Sequence, residues 1–548
     1  MARTSGIVGP PATPAAIQRI VTDVFGYAGL RPGQEAAIAA LTSGRDCLAV
    51  LPSGAGKSAI YEVSAVALGG PALVVSPLLS LQRDQASGLR RRGLAAFAIN
   101  AAARASERAA AFDLLRGGGA GFVFLAPEQL ARDDVLGVLA QAPPALLAVD
   151  EAHCISEWGH DFRPDYQRLG AVIDGLSARP VVAALTATAA PPVRAEIVRR
   201  LGLRDPVRVI RDFDRPEIHL AVRAFTGGPD KEAAILQAVR QQPGAGIVYA
   251  ATRKQTEAYA ERLGVRPYHA GLPKSVREQT QRAFMADETI VATSAFGMGI
   301  DRPGVRFVLH ASVPGSLDEY YQEIGRAGRD GQPATAICFY RPADLGLRQF
   351  FTGALPDPKL LARVAAAVDA PVSRRDLAVR AGLSQQRLSG VLNLLEAAGA
   401  VLLGSQVEPA AGAPPPAAAA QAAEELAVRY RSVERSRVEM MRRYAELTDC
   451  RRRFLLRYFG EAVADPCGRC DNCDAGRSTP RHDGQTLGPG ARVEHRIWGG
   501  GVVLDDEGDR LTVLFDDAGY RELLTSAVTS EGLPRPAHSA HSAHPADP

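Results

Sequence analysis

The chain has 548 residues, of which 46% are hydrophobic and 22% are charged. Because one domain usually takes roughly 100 to 200 residues, this length predicts several domains with separate cores. The 63 basic and 60 acidic residues leave a formal charge of +3, which indicates neither a nucleic-acid surface nor a membrane surface overall. Any nucleic-acid site must therefore be local.

Hydropathy and cysteine usage predict the compartment. No stretch reaches the roughly 18 uninterrupted apolar residues that a bilayer span needs, and the N-terminal residues lack the apolar block of a secretion signal. We therefore expect a soluble, cytoplasmic protein with no membrane partner. Four of the seven cysteines cluster near the C-terminus, which is typical of a metal site rather than of a disulfide framework.

Two stretches of the chain have the pattern of doubly wound α/β domains. In residues 1–208, short apolar runs such as LAVLP and ALLAVD alternate with longer helical segments, as parallel strands covered on both faces do. A second cycle of the same kind occupies residues 209–350. The predicted fold class is therefore α/β, with two parallel-sheet domains in tandem.

Smaller units are predicted beyond residue 350. Segment 351–408 has two helical patterns around a Gly-Leu turn, with Ser384 as a cap, and reads as a helix-turn-helix. Residues 409–423 are rich in Pro and Ala and poor in large apolar residues, so a linker is expected. The last three units are a zinc-binding helical subdomain at 424–480, a small SH3-like or Tudor-like β-barrel at 485–532 and a disordered tail at 533–548.

The residues after the first apolar strand have the composition of a phosphate-binding loop. Gly54 and Gly56 let the backbone approach an anion closely, and the helix that follows presents backbone N–H groups to it. Lys57 is expected to meet the β and γ phosphates of a nucleotide, and Ser58 to offer a hydroxyl to Mg²⁺. Leu51 stands where the full G-x-x-x-x-G-K-[ST] pattern has its first glycine, so the loop needs a partner elsewhere in the chain.

A carboxylate pair supplies that partner. Asp150 and Glu151 follow the apolar run ALLAV, at the end of a strand where α/β sheets place ligands. We expect Asp150 to hold Mg²⁺ and Glu151 to orient or deprotonate the attacking water. From these two residues alone, a solvated acidic pair at a strand end is the alternative.

The second domain supplies cationic side chains. Gln322, Arg326 and Arg329 are spaced by four and three residues, which places them on one face of a helix or turn. From that face the two arginines would reach across a cleft to the γ-phosphate as arginine fingers. From these residues alone, an exposed surface helix is the alternative.

The order of these motifs resembles the RecQ family of superfamily 2 DNA helicases over residues 25–474. The most specific part is the stretch CISEWGHDFRPDY, residues 154–166, which directly follows the sequence DEAH at residues 150–153. Within it, Glu157 stands where the family usually has glutamine. The resemblance implies two RecA-like domains and ATP hydrolysis with Mg²⁺ and zinc as cofactors. It also implies 3′ to 5′ movement on single-stranded DNA, unwinding of tailed duplexes, and a role in DNA repair and recombination.

The resemblance also implies site residues that spacing alone does not. Tyr27, Arg31 and Gln34 correspond to the family's adenine-reading segment, where Tyr27 would stack on the base. Trp158 and Phe162 beside Arg163 have a physical reason as well, since aromatic faces and a cation suit single-stranded nucleic acid. The residues implied to contact DNA or to couple it to ATP are Ser76, Arg83, Trp158, His160, Phe162, Arg163, Thr186, Thr188, Arg253 and Asp301.

Four cysteines near the C-terminus have the spacing of a metal site. Cys450 is followed by Cys467, Cys470 and Cys473, which form two tight C-x-x-C spacings, and four sulfurs predict a zinc site. Free or redox-active thiols are the alternative. Ten arginines face four acids in residues 429–457, which predicts a local basic patch for duplex phosphates.

The C-terminal third departs from the best-known RecQ members, which carry a winged helix after the zinc site. Neither that module nor a further helical one is evident in the sequence. In the predicted barrel, Trp498 and Phe515 either pack in the interior, which the pattern favours, or form a surface for a protein partner. Two other functions therefore stay open. One is an ATP-driven translocase or annealer that does not unwind, and the other is a DNA-binding regulator that uses ATP as a switch.

Overall fold

The computed structural model describes most of the chain. The described residues are 13–100, 103–156, 163–297, 302–346, 355–404, 406–461, 463–480, 487, 491–506, 510–516, 518–525 and 535–536. Among the helices in these ranges, none combines the length and the apolar character that crossing a membrane requires.

A seven-stranded parallel sheet forms the first domain, with its strands in the order third, fourth, second, fifth, sixth, first and seventh. Helices in the crossovers cover both faces, so the first six strands are buried almost completely. The strands are Cys47–Val50, Pro71–Val75, Ala96–Ile99, Gly121–Leu125, Leu146–Val149, Val181–Thr186 and Val207–Ile210. The helices and helical turns are Pro14–Arg19, Ile20–Val24, Gln34–Thr42, Lys57–Leu68, Leu79–Arg91, Ala105–Gly117, Pro127–Ala131, Asp133–Gln141, Ala152–Ile155, Pro164–Gly175 and Pro191–Arg200.

A six-stranded parallel sheet forms the second domain and repeats the strand order third, fourth, second, fifth, sixth and first. The prediction of two tandem parallel-sheet domains is thereby confirmed. The strands are Ile218–Ala224, Gly246–Tyr249, Arg266–Tyr268, Ile290–Ala292, Phe307–His310 and Ala334–Tyr340. The helices and helical turns are Gly228–Gln241, Arg253–Leu263, Lys274–Met285, Leu317–Ile324 and Pro342–Asp344.

The two domains meet slightly later in the chain than the sequence rhythm indicates. The strand Val207–Ile210 pairs in parallel with Cys47–Val50 and so belongs to the first sheet. The next strand, Ile218–Ala224, pairs with Ala334–Tyr340 in the second sheet. The connection therefore lies between residues 210 and 218 rather than at residue 208.

Residues 355–409 form three helices followed by an antiparallel hairpin. Ser384 caps the third helix as predicted, since its side chain accepts a hydrogen bond from the Arg387 N–H at 3.3 Å. The hairpin is not predicted from the sequence, because its strands have only three residues each. The helices are Pro358–Ala366, Arg374–Ala381 and Gln385–Ala397, and the hairpin strands are Val401–Leu403 and Val407–Pro409.

The Pro/Ala segment expected to be a linker is helical from Pro416 onward. It opens the long helix Pro416–Glu446. Ala419, Ala420 and Ala423 are buried in the core that this helix shares with the three preceding helices. The linker prediction is therefore wrong for these residues, because small alanine side chains allow close helix packing even though they bring little bulk of their own.

The C-terminal residues form an open antiparallel sheet, and the described residues contain no closed barrel. One face has a core of its own, but Leu504, Leu514 and Tyr520 on the other belong to the core of the domains before it. Because those domains cover this face, the sheet has no need to close on itself. The strands are Arg492–His495, Gly499–Asp506, Arg510–Phe515, Gly519–Leu524 and Arg535–Pro536, and the two helices before them are Arg451–Tyr458 and Asp471–Asp474.

The tail predicted to be disordered, residues 533–548, lies outside the described residues apart from Arg535–Pro536. That pair extends the sheet by pairing with the strand Arg492–His495.

Candidate functional site

A cleft of about 640 Å³ lies between the two domains, and residues of both line it. The first domain contributes the loop before Lys57–Leu68 and the acidic pair after Leu146–Val149. The second domain contributes the helix Leu317–Ile324 and the turn that follows it. The predicted nucleotide-site residues that line this one cleft are Tyr27, Arg31, Gln34, Gly54, Gly56, Lys57, Ser58, Asp150, Glu151, Gln322, Arg326 and Arg329.

The loop before Lys57–Leu68 has the conformation of an anion cradle. Gly54 and Gly56 have φ angles of +83° and +74°, a region that a residue with a Cβ rarely adopts. Leu51 is outside that region, so no glycine is needed at the position where the longer pattern has one. The Lys57 Nζ donates to the Leu51 carbonyl at 3.3 Å. The loop therefore brings a helix N-terminus and a lysine to the same cleft, as phosphate binding requires.

Gln34 braces this loop from the side. Its Nε2 donates to the carbonyls of Ala55 and Gly56 at 3.0 and 2.8 Å, and its Oε1 accepts from the Arg31 N–H at 2.7 Å. The Arg31 guanidinium donates in turn to the Gly54 carbonyl. The Gln34 amide, which belongs to the predicted adenine-reading segment, thus fixes the shape of the phosphate loop.

Tyr27 contributes an aromatic ring to the cleft. The ring stacks on Phe25 with centroids 5.6 Å apart, and its hydroxyl donates to Glu62 Oε2 at 3.1 Å. Burial, with help from the Glu62 charge, raises the pKa of Tyr27 to about 12, so the phenol stays protonated. A fixed ring of this kind is suited to stacking on a nucleobase.

Lys57, Asp150 and Glu151 form a compact charged group. Burial lowers the pKa of Lys57, and the two carboxylates oppose that shift. Burial raises the pKa of Asp150, and the Glu151 charge adds to the effect. A buried carboxylate of this kind is stabilised by a cation. With the hydroxyls of Ser58 on the cleft and Ser76 at 3.3 Å from Asp150, the donor set consists of the hard oxygens that Mg²⁺ prefers.

A chain of polar contacts runs from the acidic pair to the second domain. His153 Nδ1 lies 3.4 Å from Glu151 Oε2 and 2.8 Å from Thr186 Oγ1. The Thr186 hydroxyl donates to the Thr188 carbonyl at 3.0 Å, and Gln322 Nε2 donates to Thr188 Oγ1 at 3.2 Å. His153 is a functional candidate that the sequence reasoning missed, although its place two residues after Glu151 was an available signal.

The two predicted arginine fingers occupy different parts of the cleft. Arg329 lies against the phosphate loop, because a Cβ placed on Gly54 would be 3.4 Å from Arg329 Cδ. Arg326 is buried and its guanidinium interacts with Tyr249 in the second domain. Arg329 therefore contacts the first domain directly, while Arg326 forms part of the second domain's wall.

Three of the predicted DNA residues are buried. Ser76, Thr186 and Thr188 have at most 1% of their surface exposed. The Ser76 hydroxyl donates to Asp150 at 3.3 Å, so this buried side chain is not placed to contact DNA directly. The buried threonines lie in the polar chain described above, as a coupling role requires.

The other predicted DNA residues are exposed or undescribed. Arg83 and Arg253 are exposed in the first and second domains, and Arg163 is half-buried with its Nη1 3.4 Å from the Pro77 carbonyl oxygen. The predictions for Trp158, His160, Phe162 and Asp301 concern residues outside the described ranges.

Four cysteines converge as predicted. The Sγ atoms of Cys450, Cys467, Cys470 and Cys473 all lie within 4.8 Å of one another. Hydrogen bonds from the Cys467 and Cys470 thiols lower the pKa of Cys450, and the backbone N–H groups of Cys467 and Arg453 point at its sulfur from 3.3 and 3.4 Å. Four sulfurs at this separation, one of them favoured as a thiolate, fit tetrahedral Zn²⁺.

The arginines beside the zinc cluster are largely structural. Arg451 pairs with Asp471 at 2.6 Å, and Arg453 pairs with Asp449 at 2.5 Å. The side chains with at most 5% of their surface exposed are Arg437, Arg451, Arg452, Arg453 and Arg457. The predicted basic patch is therefore wrong for these five, because they are buried against partly exposed acids and main-chain carbonyls rather than facing solvent.

Three stretches of the chain match families of known proteins. Residues 31–196 match the DEAD/DEAH box helicase family, and residues 230–331 match the helicase conserved C-terminal domain. Residues 420–474 match the RecQ zinc-binding family. The first two matches lie within the two parallel-sheet domains, and the third includes the four-cysteine cluster.

Relatives align over most of the chain. The ATP-dependent DNA helicase RecQ of Pasteurella multocida is 34% identical over 458 residues, which are 82% of this chain and 61% of that protein. The protein of the same name from Bacillus subtilis is 33% identical over 475 residues, which are 85% of this chain and 68% of that protein. The chain thus spans about three fifths of the length of the first of these relatives.

A solved structure shows the same fold at low identity. The helicase MrfA bound to DNA superposes with a TM-score of 0.52 and 18% identity, and the match covers 75% of this chain and 64% of that one. The fold, the cysteine cluster and the two alignments lead to one conclusion: the chain belongs to the RecQ family of helicases.

Proposed function

We propose that this protein is an ATP- and Mg²⁺-dependent DNA helicase that moves 3′ to 5′ along single-stranded DNA and unwinds tailed duplexes in DNA repair and recombination. The observation that carries the proposal is the cleft between the domains, where Lys57 and Glu151 of the first domain meet Arg329 of the second. Because this site needs both domains, hydrolysis of ATP alters the contacts between them. A strand held by both domains is moved by that change.

Each residue of the cleft has a role in the proposed reaction. Lys57 neutralises the β and γ phosphates, while Ser58 and Asp150 hold Mg²⁺. Glu151 orients the attacking water. Arg329 stabilises the charge that develops on the γ-phosphate and, since it comes from the other domain, makes hydrolysis depend on closure of the cleft.

The single strand is proposed to run across both domains. Arg83 and Arg253 are exposed, one on each domain, and are available for phosphate contacts. Thr186 and Thr188 connect the nucleotide side to the second domain through Gln322. This arrangement supports coupling between the strand and ATP without base-specific contacts.

Residues 355–409 are proposed to contact the duplex ahead of the single strand. The helix-turn-helix exposes Arg375, Arg380 and Arg387, and the hairpin that follows it exposes 54% of Leu402. Helices and hairpins of this size fit duplex DNA grooves. This segment precedes the zinc cluster in the chain, and its hairpin is a candidate strand separator.

A salt bridge connects this duplex-binding segment to the first domain. Arg168 Nη2 of the first domain donates to both carboxylate oxygens of Glu396 at 2.8 and 2.9 Å. One guanidinium nitrogen thus contacts both carboxylate oxygens, and a charge-assisted hydrogen bond of this kind is stronger than a neutral one. The segment therefore follows the first domain when the cleft opens and closes.

The C-terminal sheet is proposed as a surface for a protein partner. Ile497 and Leu524 expose 73% and 55% of their surface there. One face of the same sheet packs on the preceding domains. Exposed apolar side chains on a docked module favour a contact with another protein. Action on chromosomal DNA supports the cytoplasm as the compartment.

The proposal is tested by ATP hydrolysis and strand displacement on matched 3′-tailed and 5′-tailed DNA duplexes, with an RNA duplex beside them. We expect DNA-stimulated hydrolysis and unwinding of the 3′-tailed substrate only. Lys57→Ala should abolish both and leave DNA binding intact. The matched control is Lys274→Ala, since that lysine is 71% exposed and lies outside the cleft. Normal turnover by Lys57→Ala would refute the proposal.

A further inference from the structure

The helix Leu317–Ile324, here called the finger helix, holds Gln322 and leads directly into Arg326 and Arg329. Its second residue is Asp318, whose carboxylate is buried with 4% of the residue exposed. A buried carboxylate is costly unless donors reach it. Among the described residues, the side-chain donor that reaches Asp318 is Tyr458, which lies outside the two parallel-sheet domains.

Two tyrosines connect Asp318 to the C-terminal part of the chain. The Tyr458 hydroxyl, at the end of the helix Arg451–Tyr458, donates to Asp318 Oδ2 at 2.5 Å. The same hydroxyl lies 2.7 Å from the hydroxyl of Tyr520 in the C-terminal sheet. The two rings stack with centroids 5.7 Å apart. One hydrogen-bonded line thus joins the finger helix, the zinc-binding region and the sheet.

Both hydroxyls act as permanent donors. Tyr458 and Tyr520 have 4% of their surface exposed. Burial, followed by the charge of Asp318, raises the pKa of each tyrosine above its ordinary value. The phenols therefore stay protonated at physiological pH, and the line does not depend on pH there.

The C-terminal sheet packs tightly against the long helix Pro416–Glu446, so its strands have a fixed position. Arg443 Nη1 of the long helix donates to Thr512 Oγ1 at 2.9 Å. Gly519, with a φ of +77°, approaches that helix so closely that a Cβ would collide with the Ser436 side chain. Close packing of this kind leaves the strand that begins at Gly519 no freedom to shift alone.

We propose that the C-terminal sheet positions the arginine fingers of the ATPase site through Tyr520, Tyr458 and Asp318. Asp318 precedes Gln322 by four residues, about one helical turn, so a carboxylate held in place fixes the turn that carries the site residues. Catalysis by positioned charges is sensitive to displacements of about 1 Å. Tyr458 and Tyr520 are therefore positioning residues. This inference rests on the proposed ATPase function and adds the sheet to it.

The test removes single hydroxyls from the full-length, zinc-loaded chain. Both variants keep the aromatic ring. Tyr458→Phe removes both hydrogen bonds of the line, whereas Tyr520→Phe removes only the one between the two hydroxyls. We expect kcat for DNA-stimulated ATP hydrolysis to fall about tenfold, while the KM for ATP and the Kd for single-stranded DNA stay within about twofold. The control is Tyr259→Phe, which makes the same change in the helix Arg253–Leu263, away from the finger helix.

The outcomes separate positioning from mere packing. A lower melting temperature with an unchanged kcat in both variants would overturn the inference, as would a rise in KM at constant kcat. If Tyr458→Phe does not fold, Tyr520→Phe alone decides, because its hydroxyl does not touch Asp318 directly. Absence of DNA-stimulated hydrolysis in the unmodified chain would instead count against the proposed function, which keeps the two failures distinct.

Discussion

Gln322 in the second domain donates a hydrogen bond to Thr188 Oγ1 in the first, with 3.2 Å between the two atoms. Both side chains have less than a tenth of their surface exposed. Through Thr186 and His153 the contact continues to Glu151, the carboxylate proposed to orient water. The relative position of the two domains is therefore connected to this carboxylate through the side chains of Gln322, Thr186 and His153. Thr188 completes the connection with both its hydroxyl and its main-chain carbonyl.

Thr188→Val should weaken the link between DNA binding and ATP hydrolysis. Valine has the shape of threonine but accepts no hydrogen bond, so the Gln322 amide loses a buried partner. A hydrogen bond worth about 1 kcal/mol corresponds to about fivefold in rate. We expect DNA-stimulated hydrolysis to fall by about that factor with the KM for ATP unchanged, as measured by steady-state kinetics with and without single-stranded DNA.

The control for this change is Thr280→Val. Thr280 is equally buried, but its hydroxyl donates to the Pro267 carbonyl inside the second domain. It takes no part in the hydrogen bond between Gln322 and Thr188. Equal losses in the two variants would mean that the effect is general destabilisation, and the proposed link would have to be abandoned.

Gly56→Ala should weaken ATP binding. The new Cβ would lie 2.7 Å from Gln34 Nε2, and the φ of +74° at this position strains any residue with a side chain. Gln34 would have to release the phosphate loop, so we expect the affinity for ATP to fall at least about tenfold in equilibrium titration with a fluorescent nucleotide. Gly137→Ala is the control, because an added Cβ there meets no atom within 4 Å. Retained affinity in Gly56→Ala would show that the loop shape does not set nucleotide binding.

The residues that line the cleft were predictable as short groups, because the members of each group are close together in the chain. Lys57 and Ser58 follow the two loop glycines, and Arg326 and Arg329 lie within one turn of each other. Local spacing fixes which side chains share a face, and strand ends then bring the groups to one cleft. Leu51 departs from the longer pattern without consequence, because the backbone at this position needs no positive φ.

Long-range contacts were not predictable in the same way. Burial of Ser76 beside Asp150, and the meeting of Tyr458 with Tyr520, depend on elements that are distant in sequence. The arginines of the zinc region look like a nucleic-acid surface in the sequence, because composition does not show which arginines are buried against acids and carbonyls. The open C-terminal sheet looks like a barrel for a related reason, since alternation of apolar residues does not reveal what covers the second face.

Removal of zinc should destabilise the second domain as well as the cysteine cluster. The backbone of Cys470 bridges to Leu220, and Asp471 Oδ2 accepts from the Val222 N–H at 2.8 Å, so the cluster is attached to the first strand of that domain. Structural zinc contributes folding free energy on the order of 10 kcal/mol in small domains. We therefore expect a chelator to lower the melting temperature and to increase amide exchange in the strand Ile218–Ala224.

Cys473→Ser should lose bound zinc, measured by elemental analysis, whereas Cys47→Ala, outside the cluster, should keep one zinc per chain. Full zinc content in Cys473→Ser, or an unchanged melting curve after chelation, would contradict the four-cysteine site.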